Sequence, residues 1–488
     1  MIRFIAAASV WLVLQPDCMA QSETLKFRST DAALQTAFDR ATEMALSHRG
    51  SPADPVGDWY EAALPTRFAF CMRDVAHQSI AAEMLGLGKA NSNMFSLFAK
   101  NISDSKDWCS YWEINKEGKP APEDYRNDDE FWYNLNANFD VLNAAWKLYL
   151  WTGDKRYVNG PEFASFHRKS VREYVERWVL QPDSLLSRPL HPNAHAAYDD
   201  KDSFHRCRGL ASYSEGVHDL KMGVDLIASL SRGMQTYADI LRVEGKSSEA
   251  TAFDKKAEQY RKHIENKWWS EKEDKYFTYY SSKGAFGYTE GETFLLWFDV
   301  LKDTTRTRKT IDQILARDWN IENQSYFPYV LGQYGYPEQI RSQVLHLTDP
   351  ATKRREYPEV SFGAVQGVVQ GIMGIDADAR VNRITTLFNG RAEDTHTIEN
   401  LPVLQRHISV TESAKTASLR NVGSGAAGSG ASGSGALQWR VMFAGKHPFI
   451  IVDGVRRKAS QTVVKGSRVV SYLDVPVAAN VQITARVE

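Results

Sequence analysis

The sequence predicts a mostly helical fold: a ring of paired helices followed by a smaller β domain. Three observations carry this. Apolar residues recur at threes and fours from about residue 30 to 380, the mark of helices with one buried face. Loops separate these segments regularly, so helical hairpins follow one another. After about residue 383 the texture turns to short β-branched runs broken by Gly and Asp, as in "PFIIVDG", "TVVKGSRVVSYL" and "NVQITARV".

Taken in order, residues 1–20 read as a secretory leader. Arg3 gives the positive start, Phe4 to Leu14 a short apolar stretch, and Cys18-Met19-Ala20 a small-x-small cleavage site. The stretch is too short to cross a bilayer, so the expected location is periplasmic or secreted. Helices are expected over 30–48, 73–86, 131–152, 163–178, 217–243, 247–268, 292–302, 305–317, 335–347 and 361–374. Leu135, Phe139, Leu142, Ala145 and Leu148 show the spacing, and Thr152-Gly153-Asp154 is a typical stop. Two long polar loops, 101–130 and 182–216, interrupt the rhythm. They carry Trp108, Trp112, His191, His195 and His205, which argues for ordered, functional loops. The expected division is a helical domain over 21–382 and a β domain over 383–488. The latter contains a Gly/Ser/Ala-rich loop at 423–436.

Charge narrows the partners. With 59 Lys+Arg against 60 Asp+Glu and no basic block, neither nucleic acid nor an anionic membrane is an expected partner. The 13 Trp and 21 Tyr suit sugar faces as well as helical cores. Past the leader remain Cys71, Cys109 and Cys207. Their spacing fits neither a zinc site nor a disulfide framework, and one disulfide stays open. There is no phosphate loop, no Gly-x-Ser-x-Gly and no His-Glu-x-x-His, so no cofactor or metal is expected.

Four stretches place acids and aromatics at helix entrances. "RFAFCMRDVAHQ" gathers Arg67, Arg73, Asp74 and His77. A paired Arg and Asp binds vicinal hydroxyls, one donating in a fork and the other accepting, though the same pair also caps helices. "DYRNDDEFWYNLNANFD" stacks Asp128, Asp129 and Glu130 before a helix start, either to cap it or to bind substrate. "SYSEGVHD" puts Glu215 between a long loop and a strongly periodic helix. It serves as a proton donor if burial raises its pKa against the pull of the helix end, and otherwise sits exposed in a first turn. "REYPEVSFGAVQGVVQGIMG" sets Glu356 and Glu359 before an uncharged run of small and branched residues. Pro358 fits a helix start, so Glu359 lies in the first turn, where it is expected to stay ionised and act as general base, with Glu356 as its alternative. "GYTEGETFLLW" offers Glu290 and Glu292 as rivals.

On these residues the sequence resembles the six-hairpin glycosidases. "FCMRDVAHQ" is similar to the Arg-Asp substrate segment of glucoamylase-like members, and "YSEG" to their acid-bearing loop. "FPYVLGQYGYPEQ" with "EYPEVSFGAVQGVVQGIMGIDAD" is similar to bacterial α-L-rhamnosidases. The rhamnosidase Trp-Glu-Arg-Trp segment is absent, and Arg355 to Glu359 stand in its neighbourhood. The resemblance implies an (α/α)6 barrel with a C-terminal antiparallel β-sandwich, and an exo-acting glycoside hydrolase with a carbohydrate substrate. It also implies inversion, Glu215 as acid and Glu359 or Glu356 as base. Arg67, Arg73, Asp74 and Asp129 would then hold the sugar, with Trp112 and Trp132 as stacking surfaces. Two rivals remain: a polysaccharide lyase using His195, His205, Tyr213 or Asn134, and a glycan-binding protein without turnover.

Overall fold

The computed structural model describes residues 24–423 and 436–488. The expected leader, 1–20, lies outside these residues, as does nearly all of 423–436. Among the described residues, α-helices of six residues or more number twelve. They are α1 Ala32–Ser47, α2 Met72–Met84, α3 Gly88–Lys100, α4 Ala137–Thr152, α5 Pro161–Val171, α6 Val224–Val243, α7 Ser247–Lys267, α8 Glu292–Trp297, α9 Thr304–Ala316, α10 Ile321–Tyr334, α11 Pro337–Thr348 and α12 Pro358–Gln366.

Each even-numbered helix packs against the next even-numbered one, and α12 returns to α2, closing an inner ring. Odd-numbered helices lie outside it. This is the (α/α)6 barrel expected from the resemblance. Sequence period sorts the two layers. Outer α7 buries Ala250, Phe253, Ala257, Tyr260 and Ile264, one face at threes and fours. Inner α12 buries every residue from Pro358 to Gln366.

The small residues of α12 are needed for close approach. A Cβ on Gly367 would stand 2.2 Å from Pro328 Cβ, and one on Gly363 2.4 Å from the Ser325 carbonyl oxygen. After Gln366 the helix widens into a π-helical segment, Gly367–Ile372. Helices α3 and α10 fall outside the ten expected segments.

Two sheets follow. One has seven strands and includes the first strand among the described residues, Lys26–Ser29, antiparallel to Thr395–Val403. The other has five strands, with one parallel pair, Arg383–Leu387 beside Leu437–Ala444. Asn421 of the first donates to the Val477 carbonyl oxygen of the second at 3.3 Å, and strands Thr416–Gly423 and Leu437–Ala444 touch, so the sheets face each other as a sandwich. Cys71, Cys109 and Cys207 are buried free thiols, which removes the disulfide left open by the sequence.

Candidate active site

A cavity of about 540 Å³ opens at the N-terminal face of the inner ring. Every inner helix supplies it from its first turns or the loop before: Arg73 and Asp74 from α2, Trp132 ahead of α4, Asp225 from α6, Phe294 from α8, Asn323 and Tyr326 from α10, and Glu359 from α12. The two long loops add Trp112, Glu113, Asp124, Ser203 and Glu215. Ring closure therefore converges residues hundreds of positions apart on one hollow.

Glu359 sits in the first turn of α12 behind Pro358 and is 5% exposed. The expectation that it stays ionised is corrected. Burial, aided by the negative charge of Asp74, pushes its carboxyl well above the usual range, outweighing its helix-end bonds and Arg73.

Glu215 faces the open cavity, yet the surrounding walls raise its pKa by burial, opposed by Arg73 and a hydrogen bond from Asn134. It does not immediately precede a helix: the strand Leu220–Gly223 intervenes and α6 begins at Val224. The helix end that argued against a raised pKa is therefore elsewhere. Its neighbour Ser214 donates to the Glu290 carbonyl oxygen at 2.9 Å instead of capping a helix.

Buried aspartates hold this loop. Asp225 accepts from Ser212 Oγ at 2.9 Å, Tyr213 N at 2.7 Å and Asn136 Nδ2 at 3.1 Å. Burial brings Asp225 up to about 7. Gly223 permits the arrangement, because a Cβ there would meet Asp225 Oδ1 at 2.2 Å. The Tyr213 hydroxyl donates to Asp140, and Asn134 Nδ2 to the Ser212 carbonyl oxygen at 2.7 Å.

Both arginines of the cavity are committed. Arg73 Nε donates to Asp74 at 3.1 Å, with its guanidinium 5.7 Å from the Trp112 ring and 5.0 Å from that of Tyr213. Arg67 donates to Glu113 at 3.0 Å and Asp124 at 2.9 Å. Burial still pushes Glu113 up to about 7 and Asp124 to about 6, against the pull of Arg67. Across the cavity Glu290 accepts from Asn320 at 3.1 Å and Asn323 at 2.6 Å.

Arg67, Arg73, Asp74, Trp112, Trp132, Glu215 and Glu359 thus come together as expected. Glu356 and Asp129 do not. Glu356 precedes the helix on an outward-turned loop and is exposed, while Tyr357 takes the cavity-lining position. Asp129 sits at a hairpin tip, its N–H bonded to Asn127 Oδ1, with its carboxylate 63% exposed and 3.7 Å from His195. Of the lyase candidates, His205 bonds Glu130 at 2.9 Å outside the cavity, while Tyr213 lines it. Glu130, Asp202 and His205 bring ligand atoms within 4.8 Å of one another there, and Arg126 neutralises Asp202 at 2.6 Å. Glu292 turns away toward Arg317 at 3.5 Å. Sequence reasoning missed Glu113, Asp124, Asp225, Asn320 and Asn323. Asp225 alone carried a signal, an acid in the first turn of a strongly periodic helix.

A closed ring of six hairpins with carboxylates and aromatics at one mouth defines the class of fold: the six-hairpin, (α/α)6 barrel. The trehalase family model matches residues 98–333, a little under half the chain, a span that includes Trp112, Glu113, Asp124, Trp132, Glu215 and Asn323. Among solved structures, α-L-rhamnosidase from Dictyoglumus thermophilum shares 13% identity at a TM-score of 0.56, covering 95% of this chain and 50% of that one. The α-L-rhamnosidase from Aspergillus terreus shares 13% at 0.54, covering 93% and 50%. The GH78 family rhamnosidase of Bacillus sp. GL1 shares 12% at 0.53, covering 82% and 41%. At such identities the likeness concerns the fold, and the chain spans half or less of these enzymes' length. No curated protein matches it.

Proposed function

We propose that this protein is an exported, exo-acting glycoside hydrolase that releases one neutral sugar from an oligosaccharide end with inversion. Glu215 protonates the glycosidic oxygen, and Glu359 takes a proton from water on the opposite face. Glu215 suits the acid role because its pKa is raised while it still faces the cavity opening. Glu359 suits the base role as a desolvated carboxylate, strongly basic once it has lost its proton. Arg73 with Asp74, and the Glu290–Asn320–Asn323 ledge, supply donors and acceptors for sugar hydroxyls. Export rests on residues 1–20 as read from sequence. Exo action rests on the inner ring closing the cavity from below.

The single observation that carries the reading is the charge of the cavity. Carboxylates crowd it, and its arginines, Arg67 and Arg73, are already ion-paired. A uronic acid or a phosphate nucleophile needs uncommitted cations there. Water as the acceptor and an uncharged sugar are favoured over lyase chemistry or phosphorolysis. The test is incubation with α,α-trehalose, other neutral disaccharides and aryl glycosides, including an α-L-rhamnoside, followed by NMR. A free sugar appearing first as the inverted anomer is the expected result. An unsaturated product, a sugar phosphate or no turnover across the panel overturns the reading.

A further inference from the structure

The inner helices line a second cavity with their later turns. About 190 Å³ in volume, it lies beyond the catalytic hollow along the ring axis, lined by Lys147 of α4, Arg232 of α6, Trp297 of α8, Tyr329 of α10 and Gln370 beyond α12. Between the two lies a gap of about 10 Å³ walled by Arg73, His77, Asp140 and Tyr326, room for about one water and no more. A ligand of the lower cavity therefore enters from the opposite face.

At its rim Asp299 is held by Arg232 at 3.1 Å and Lys465 at 3.0 Å, so two cations there share one carboxylate and both are ion-paired. Deeper, Lys147 Nζ is buried without a hydrogen-bonding partner among the described residues, 4.0 Å from the Trp297 ring centroid and 5.1 Å from that of Tyr329. Asp376 opens onto the same cavity, its Oδ1 accepting from Gln370 Nε2 at 3.3 Å. Among the described residues, one ammonium and one carboxylate of this cavity thus remain without ion-pair partners. An anion would satisfy the first and meet the second, and a cation the reverse. A neutral molecule with neighbouring hydroxyls satisfies both, accepting from Lys147 and donating to Asp376, with its C–H face toward Trp297 and Tyr329. At about 190 Å³ the space lies below the roughly 300–1,000 Å³ of pockets for drug-sized ligands, which suits a single sugar ring.

We propose that this lower cavity is a non-catalytic binding site for a single neutral monosaccharide. The proposal is independent of turnover, since the site shares no carboxylate with Glu215 or Glu359.

The test uses the full chain with D-glucose, D-galactose and L-rhamnose as probes, measured by calorimetry and in sugar-soaked crystals. Lys147→Met and Gln370→Leu are each expected to weaken one class of sugar binding roughly ten- to a hundredfold, as loss of a charge-assisted or amide hydrogen bond predicts. Turnover of the best glycoside should be unchanged. If both variants keep the full wild-type binding, or if all binding disappears in Glu215→Gln, the proposal is overturned. Should a variant fail to fold, the soaked wild-type crystal decides. Sugar density beside Lys147 supports the site, and density confined to the upper cavity rejects it.

Discussion

The two ends of the barrel are built by the same six inner helices and carry opposite chemistry. The upper cavity receives helix N-termini and is crowded with carboxylates. At the lower end cations and amides meet helix C-termini. Arg232 donates to the carbonyl oxygens of Phe298 and Asp299 just past α8, Arg468 to that of Gln333 near the end of α10, and Asn389 to those of Gly332 and Gly371. Helix polarity explains which sign gathers where. It does not explain the acidity of the upper carboxyls. A helix end contributes about 0.3–1 kcal/mol, less than one pKa unit at about 1.36 kcal/mol per unit. Burial moves a carboxyl by up to about 3–5 units. Desolvation wins, and Glu359, Glu215, Glu113 and Asp225 all lie above the ordinary range.

The largest expected effect tests whether chemistry belongs to the upper end alone. Glu215→Gln and Glu359→Gln should each lower kcat about 10²–10⁴-fold in steady-state assays. Either variant retaining activity within about tenfold of wild type removes that carboxylate from the reaction. Next comes Asp225→Asn, which loosens the Glu215 loop from the cavity wall. A kcat loss of up to about 10²-fold with a smaller change in KM is expected, and a change confined to KM would place Asp225 in binding instead.

The pH profile sharpens the desolvation argument. A base whose pKa is raised is still protonated in the ordinary carboxylate range, so kcat/KM should fall as pH drops through a value well above it. An acid limb near the ordinary Glu value of 4.5 contradicts the assignment. At the lower end Lys147→Met should leave kcat/KM unchanged within about twofold. It should hold or raise Tm, because it removes a buried ammonium whose pKa burial has pulled down to about 7.

The smallest effect lies outside the ring. Glu412, buried in the sandwich, has its pKa pushed by burial from 4.5 to about 8. The folded state prefers it protonated, so it costs stability as pH rises from the lower value to the higher. Glu412→Gln should flatten that fall in Tm-against-pH measurements.

Much of this contrast was legible in the sequence, unevenly. Outer helices such as α7 announce themselves because one face meets water. Most inner helices carry a weaker signal, since nearly all their faces are buried; the inner α6, strongly periodic, and the outer α3, missed, depart from this in opposite ways. Helix α3, "GKANSNMFSLFAK", hides its apolar face among Asn and Ser. Helix α10 holds Pro328 inside it, a residue without a backbone donor that disfavours helix interiors, which the ring tolerates against Gly367. Missing α10 also hid Asn320 and Asn323. Glu215 and Glu359 were found because each stands beside a marked entrance, a loop end or a Pro. Glu113 and Asp124 were not, because their meaning arises only when Arg67 closes between them.

The first strand, Lys26–Ser29, lies against Thr395–Val403, and Asp31, which caps α1, is gripped by Arg341 and Arg391. A ribosome releases these partners more than three hundred residues apart. The strand Lys26–Ser29 therefore waits through more than three hundred residues of synthesis before its docking strand emerges. A chain ending before residue 395 leaves this seam unsewn.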